Sequence, residues 1–135
     1  MTTRRSHKQR GSKFETDLVK LFRERGYAAE RLPRTGAKDE GDLAVWAWDG
    51  IHIVECKAPG AGNAIDLSGW LREAETEAIN WEASRPNNEE TVTPVLIIKA
   101  RGKPLSQAYV IKRFTDEYPE MDDSLLERLA NDGED

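Results

Sequence analysis

The chain has 135 residues, 33% of them charged and 38% hydrophobic, a formal net charge of -5 and one cysteine, which suits a single domain with its own core. Its longest apolar runs, such as residues 94–98, fall far short of the roughly 20 residues that a spanning helix needs, and the basic N-terminus has no apolar segment behind it. Lone Cys56 allows neither an internal disulfide nor a Cys-rich zinc pattern, so the expectation is a cytoplasmic protein without a membrane partner.

The charge is uneven along the chain. Residues 1–38 hold eleven Lys and Arg against four Asp and Glu, a local +7, which leaves -12 for residues 39–135. The basic part is where a phosphate backbone would dock. Residues 1–12 read as a basic flexible arm, disordered without a ligand. The segment Ser12-Lys13-Phe14-Glu15 reads as a capping box, and Phe14, Leu18, Leu21 and Phe22 then recur at helical spacing as far as Gly26. Residues 27–32 predict a short strand and 33–41 a mobile loop rich in Gly, Pro and charge. Residues 41–57, GDLAVWAWDGIHIVECK, read as two strands joined by Asp49-Gly50.

Beyond the Pro-Gly-Ala-Gly of residues 59–62, Asp66 or Ser68 is placed to cap a second helix. Its apolar stripe is Leu67, Trp70, Leu71, Ala74, Ala78 and Trp81, and it ends before Arg85. Residues 92–100 and 107–114 predict two more strands. From residue 115 onward nine acidic residues face one basic, with Leu125, Leu126 and Leu129 suggesting a short last helix. The order is α-β-β-β-α-β-β, with a core domain over 13–114 and an acidic tail over 115–135.

The hairpin carries the chemistry. A two-residue type I′ turn at Asp49-Gly50 pairs Trp48 with Ile51, Asp42 with Lys57 and Ala44 with Glu55. Opposed residues share a face, so Asp42, Glu55 and Lys57 gather at one end, with Asp42 and Glu55 as diagonal neighbours roughly 7 Å apart. Trp46, Trp48, Ile51 and Ile53 lie on the same face. Leu43, Val45, Ala47, Val54 and Cys56 lie on the other, as in a sheet covered on both sides. Two carboxylates forced together near a core are driven to bind protons unless a cation neutralises them. Lys57 suits one of them, and a hard divalent ion bound through oxygen, Mg²⁺ or Mn²⁺ rather than Zn²⁺, suits both. Glu15 sits at the border of the first helix's buried stripe, where it can lean toward the sheet or serve as the third-position partner of a Ser12 cap. A surface salt-bridge cluster is the plain reading of Asp42, Glu55 and Lys57. His52, on the opposite face, reads as a core or edge histidine, and Cys56 as a small buried hydrophobe.

These residues resemble the PD-(D/E)XK nuclease superfamily, and within it the archaeal-type Holliday junction resolvases, which also occur in phages. The likeness runs from about Gly11 to Phe114. It takes in KFETDLVKLFRERGY, RLPRTGAKDE, GDLAV, IVECK and PVLIIKARG. The resemblance implies an α/β restriction-endonuclease-like core with a mixed central sheet flanked by helices. It also implies Asp42 and Glu55 as metal-binding carboxylates, Lys57 beside the attacking water, and Glu15 as a supporting acid. Thr35 takes roughly the place of a loop serine, and Gly41 stands where the family's name has proline. The mechanism expected is Mg²⁺, one ion or two, held by Asp42, Glu55 and the Cys56 carbonyl, with hydrolysis leaving a 5′-phosphate and a 3′-hydroxyl. Arg4, Arg5, Lys8, Arg10, Lys13, Arg34, Lys38, Lys99 and Arg101 are the candidates for flanking phosphates.

Symmetrical cutting of a four-way junction implies a two-fold homodimer, with Trp70, Trp81 and the hairpin tryptophans as candidate surface. A nickase, a repair nuclease or a restriction-type enzyme would use the same four residues. A non-catalytic nucleic-acid-binding module of the same fold, or an acidic protein-interaction domain, are the readings from other classes.

Overall fold

The computed structural model describes residues 4–34 and 39–122, together with 127, 130 and 131. Thr35, Lys38, Leu125, Leu126 and Leu129 therefore lie outside the described residues.

The first helix, α1 (Arg4–Glu24), begins well before the expected cap. Residues 4–12, expected as a flexible arm, are its first turns, and Ser12 is an interior residue whose carbonyl accepts from Thr16 Oγ1 at 3.0 Å. The capping-box reading of Ser12 and Glu15 is thus replaced. Residues 4–13 carry no apolar residue, so the spacing that predicted the helix could not reveal these turns, and no proline interrupts them. At the other end Gly26 N–H and Tyr27 N–H donate to the carbonyls of Arg23 and Phe22, at 3.1 and 3.0 Å. The Phe22 and Tyr27 rings close over this stop with centroids 5.5 Å apart.

Five strands follow in one sheet, in the order β1-β2-β3-β4-β5. They are β1 (Ala28–Arg31), β2 (Leu43–Ala47), β3 (Gly50–Lys57), β4 (Val92–Ile98) and β5 (Tyr109–Ile111). The pair β3–β4 is parallel and the other three are antiparallel, so the sheet is mixed as expected. The crossover between the parallel strands is α2 (Leu67–Ala83), whose N-cap is Asp66, its carboxylate accepting from Gly69 N–H at 3.0 Å. Beyond β5 the chain forms a short helix α3 (Phe114–Glu117) and a turn of 3₁₀ helix (Pro119–Met121).

The two sheet faces are buried separately. Phe14, Leu18 and Val19 of α1 pack on Leu43, Val45, Val54, Cys56, Val95 and Ile97. On the other face Ala78 and Trp81 of α2 cover Ala44, Ile51 and Ile53, while Leu71 covers Leu96 and Ile98. Alternation along β2 and β3 thus distributes side chains as the sequence predicts.

The hairpin register differs by two residues. Ala47 pairs with Gly50 and Leu43 with Val54, so Trp48 and Asp49 form the turn. Trp48 is 95% exposed there rather than lying on the sheet face. A type I′ turn needs positive φ at both central residues, and among the described residues no side-chain-bearing residue has it. Gly50 instead takes φ 127° as the first residue of β3, where an added Cβ would fall 2.3 Å from the Thr91 carbonyl oxygen. Ile51 N–H donates to that same oxygen at 2.8 Å. Contact with the chain entering β4 therefore fixes Gly50, and Gly50 fixes the register. A shift of two keeps the paired side chains of β2 and β3 on their expected faces, but the ladder ends at Leu43 and Val54, and Asp42 N–H donates to the Val54 carbonyl, so the expected pairing of Asp42 with Lys57 is not made.

Candidate active site

The charged end of the hairpin opens into a cleft of about 500 Å³, lined by residues of α1, β3, α2 and the segments flanking β2. Asp42, Glu55 and Glu15 all line it and all are buried.

Asp42 stands just before β2, tied to the sheet by backbone and side chain alike. Its N–H donates to the Val54 carbonyl and its carbonyl accepts from Leu32 N–H, both at 2.9 Å. Its Oδ2 accepts from Cys56 N–H at 2.8 Å and its Oδ1 from Arg34 Nη2 at 3.1 Å. A strand residue sends its N–H and carbonyl to the same side. The Cys56 carbonyl therefore also points past the end of β2, toward Asp42. The Cys56 side chain lies among Phe14, Leu43 and Val54, and burial pushes its thiol pKa well up. It is the inert hydrophobe expected.

Gly41 sets the approach to Asp42. Its φ is 103°, and a Cβ there would meet Ile53 Cγ2 at 2.9 Å and Glu77 Oε2 at 3.5 Å. Proline fixes φ near -65°, so the residue that names the superfamily pattern does not fit this backbone.

Glu15 arrives from α1 on the opposite face of the sheet. It reaches Arg31 Nη2 at 2.6 Å and Arg34 Nη2 at 3.3 Å, so Arg34 joins Glu15 to Asp42. Burial, followed by the Asp42 charge, raises the Glu15 pKa, while the two arginines pull it down.

Glu55 and Lys57 project toward α2. Lys57 Nζ lies 3.6 Å from Glu55 Oε1, 2.9 Å from Glu73 Oε2 and 5.5 Å from the centre of the Trp70 ring. Burial lowers the Lys57 pKa, but Glu73, Glu55 and Asp42 outweigh it and leave the ammonium firmly charged. Glu55 has its pKa raised strongly by burial, then by Glu77 and by the Asp42 charge. Glu77 is also raised, chiefly by burial. The Oε2 atoms of Glu55 and Glu77 are buried with no hydrogen-bond partner among the described residues.

The structure thus brings Asp42, Glu55 and Lys57 together as expected and joins Glu15 to them through Arg34. Three participants escaped the sequence reading. Arg31 shares the α1-facing side of β1 with Ala29, a signal that alternation carries. Glu77 lies three residues after Ala74 and four before Trp81, inside the apolar stripe of α2, where an acid is out of place. Glu73 carries no comparable signal.

Of the remaining basic candidates, Lys13 pairs with Asp17 at 2.7 Å on α1. Lys99 and Arg101 line a neighbouring cleft with residues 58–61. Arg4, Arg5, Lys8 and Arg10 lie on the first turns of α1. His52 Nε2–H donates to Asp49 Oδ1 at 2.9 Å, away from the cleft. Trp81 is core and Trp70 half-buried.

A family model, that of the archaeal Holliday junction resolvases (Hjc), matches residues 6–69, which hold α1, β1, β2, β3 and the beginning of α2. The resemblance read from the sequence is established over that stretch. Among solved structures the chain is similar to Hjc, a Holliday junction resolvase from the archaeal hyperthermophile Archaeoglobus fulgidus. The two share 16% identity at a TM-score of 0.48, over 81% of this chain and 92% of that one. No curated protein matches the sequence. No helix among the described residues is long and apolar enough to cross a membrane.

Proposed function

We propose that the protein is a divalent-metal-dependent DNA endonuclease that resolves four-way junctions. The observation that carries this reading is the gathering of buried Asp42 and Glu55 in one cleft at the open end of a hairpin, with Lys57 beside Glu55, inside the stretch that the resolvase family model matches. Glu55 keeps a buried oxygen with no donor among the described residues, and buried carboxylates gathered in this way are a poor structural device and a good seat for a hard cation.

The donor set fits such an ion. Asp42, Glu55 and the Cys56 carbonyl offer oxygen only, and Glu15 stands behind Asp42 as a further acid. All-oxygen ligation suits Mg²⁺, with Mn²⁺ able to replace it. A bound ion would supply Lewis acidity at the scissile phosphate and a lower pKa for the attacking water.

The chain's own residues do the rest. Lys57, charged and held between Glu55 and Glu73, stabilises the negative charge that builds on the phosphorus oxygens. Arg31, bonded to Glu15 at 2.6 Å, opposes the burial that raises the Glu15 pKa. Arg34, whose side chain is 70% exposed, can leave the carboxylates for a substrate phosphate. In-line attack forms the bond from water oxygen to phosphorus and breaks the bond to the 3′ oxygen, which leaves protonated. The products are a 5′-phosphate and a 3′-hydroxyl.

Lys13, Lys99 and Arg101 flank the site and would hold neighbouring phosphates, joined by Arg4, Arg5, Lys8, Arg10 and Lys38. Two strands must be cut symmetrically, so the working form is a two-fold homodimer. With Trp81 buried in the core, exposed Trp48 and half-buried Trp46 and Trp70 are the tryptophans left for its interface.

The test is cleavage of an immobile four-way junction beside a linear duplex of the same sequence, in Mg²⁺ or in EDTA, with wild type and Asp42→Asn. Paired symmetrical nicks in the junction alone, lost in the variant and in EDTA, are expected. Equal cutting of both substrates would remove the junction specificity. Binding without cutting in either metal would replace the enzyme by a binding module.

A further inference from the structure

Helix α2 brings two more carboxylates to Glu55. Glu73 and Glu77 stand one turn apart on it. One carboxylate oxygen from each of Glu55, Glu73 and Glu77 lies within 4.8 Å of the other two. Acids often cluster on surfaces with no ion between them, but two of these are interior. Glu55 is 7% exposed and Glu77 5%, and an oxygen of each is buried without a donor among the described residues. When one of them is protonated, the Glu55 and Glu77 carboxyls hydrogen-bond to each other; once that proton leaves, a divalent ion is what relieves the same buried pair. Lys57 does not relieve it, since its ammonium lies against Glu73 Oε2 and Glu55 Oε1, while the orphaned atoms are Oε2 of Glu55 and Oε2 of Glu77. Ala74, Ala78 and Trp81, packed on the sheet, hold Glu77 rigidly in this place.

We propose that Glu55, Glu73 and Glu77 form a second divalent-cation site, with Glu55 shared between it and the ion at Asp42. The first ion belongs to the nuclease reading and this inference rests on it to that extent; the second is carried by α2. The all-oxygen donor set again selects Mg²⁺ or Mn²⁺. An ion here draws Glu73 away from Lys57, which releases the ammonium toward the substrate phosphate. Occupancy of the second site would thereby couple metal binding to the readiness of Lys57.

The test counts Mn²⁺ bound to the full chain without DNA, from the electron paramagnetic resonance signal of the free ion. It compares wild type with Asp42→Asn, Glu77→Gln and Glu73→Gln. Wild type is expected to bind two ions. Asp42→Asn should keep the ion on α2, Glu77→Gln should lose it or weaken it at least about tenfold, and Glu73→Gln, at a half-exposed position that folding does not depend on, should weaken the same ion by less. Wild-type binding by both Gln variants overturns the proposal. So does a single ion lost equally in Asp42→Asn and Glu77→Gln, which describes one shared site. Junction cleavage by the same proteins separates the two readings. Cleavage that needs Asp42, with an ion count indifferent to Glu77 and Glu73, keeps the nuclease and discards the second site. An ion that needs Glu77, in a protein that cuts no DNA, does the reverse.

Discussion

The backbone N–H of Cys56 donates to Asp42 Oδ2 at 2.8 Å, so the strand that carries Glu55 also aims the Asp42 carboxylate. Asp42 therefore has a structural duty and a chemical one, and two substitutions separate them. Asp42→Asn keeps an oxygen for the Cys56 amide but gives up the bond from exposed Arg34, so stability should change by no more than about 1 kcal/mol while junction cleavage falls at least about 100-fold. Asp42→Ala leaves a buried N–H unpaired and should cost about 1 to 3 kcal/mol in addition. Urea unfolding beside cleavage rates checks both, and equal destabilisation by the two would contradict the assignment.

Gly41 holds a backbone conformation that proline cannot adopt. Restoring the superfamily's proline by Gly41→Pro should destabilise the chain by about 3 kcal/mol or more and displace Asp42, so that cleavage falls as well. Gly41→Ala, with a Cβ 2.9 Å from Ile53 Cγ2, should cost about 1 to 2 kcal/mol. A neutral Gly41→Pro in denaturant titrations would show that the segment before β2 is not as described.

The buried acids give stability a pH dependence whose sign is fixed. Burial raises Glu77 from 4.5 to about 7 and moves Glu55 and Glu15 in the same direction. The folded state thus keeps protons that the unfolded chain gives up near pH 4.5. Their contribution is complete below that value; the part from Glu77 is lost as pH climbs through about 7, and the part from Glu55 only as pH approaches about 11. In EDTA the urea midpoint should fall between about pH 5 and about pH 8, and Mg²⁺, which binds the deprotonated acids, should flatten or reverse the fall. A midpoint in EDTA that rises over this range would count against the burial of these carboxyls.

Lys57 stays charged because Glu73, Glu55 and Asp42 outweigh its burial. Lys57→Met retains an apolar stem against Trp70 and removes the charge, and should lower the cleavage rate by about 100- to 1,000-fold with little effect on junction binding. The wild-type rate should show no decline from Lys57 deprotonation below about pH 10. Loss of activity near neutral pH that disappears in Lys57→Met would instead make the lysine a proton carrier.

Removing an unsatisfied acid should stabilise the metal-free protein. Glu77→Gln keeps the shape of the side chain and its capacity to bond Glu55 while removing a charge that burial opposes, so in EDTA at about pH 8 its unfolding temperature should rise by about 4 °C, equivalent to about 1 kcal/mol for a domain of this size. Calorimetry with and without Mg²⁺ checks this, and the advantage should vanish when Mg²⁺ is present.

The sequence by itself determined the element order, the two-sided burial of the sheet and the face on which Asp42, Glu55 and Lys57 lie. Each of these follows from a local period, 3.6 residues for the helices and 2 for the strands, that any contiguous stretch displays. The cap of α2 at Asp66 was legible for the same reason. Only the tertiary structure decided which residues of the hairpin face each other, because the register depends on Gly50 meeting Thr91, forty-one residues further along the chain. It also decided that Glu15 meets Asp42 through Arg34, across the end of the sheet from the opposite helix layer, and that Glu73 and Glu77 stand beside Glu55. Those meetings join segments distant in sequence, and their geometry is set by how whole layers pack, which no local pattern of residues records.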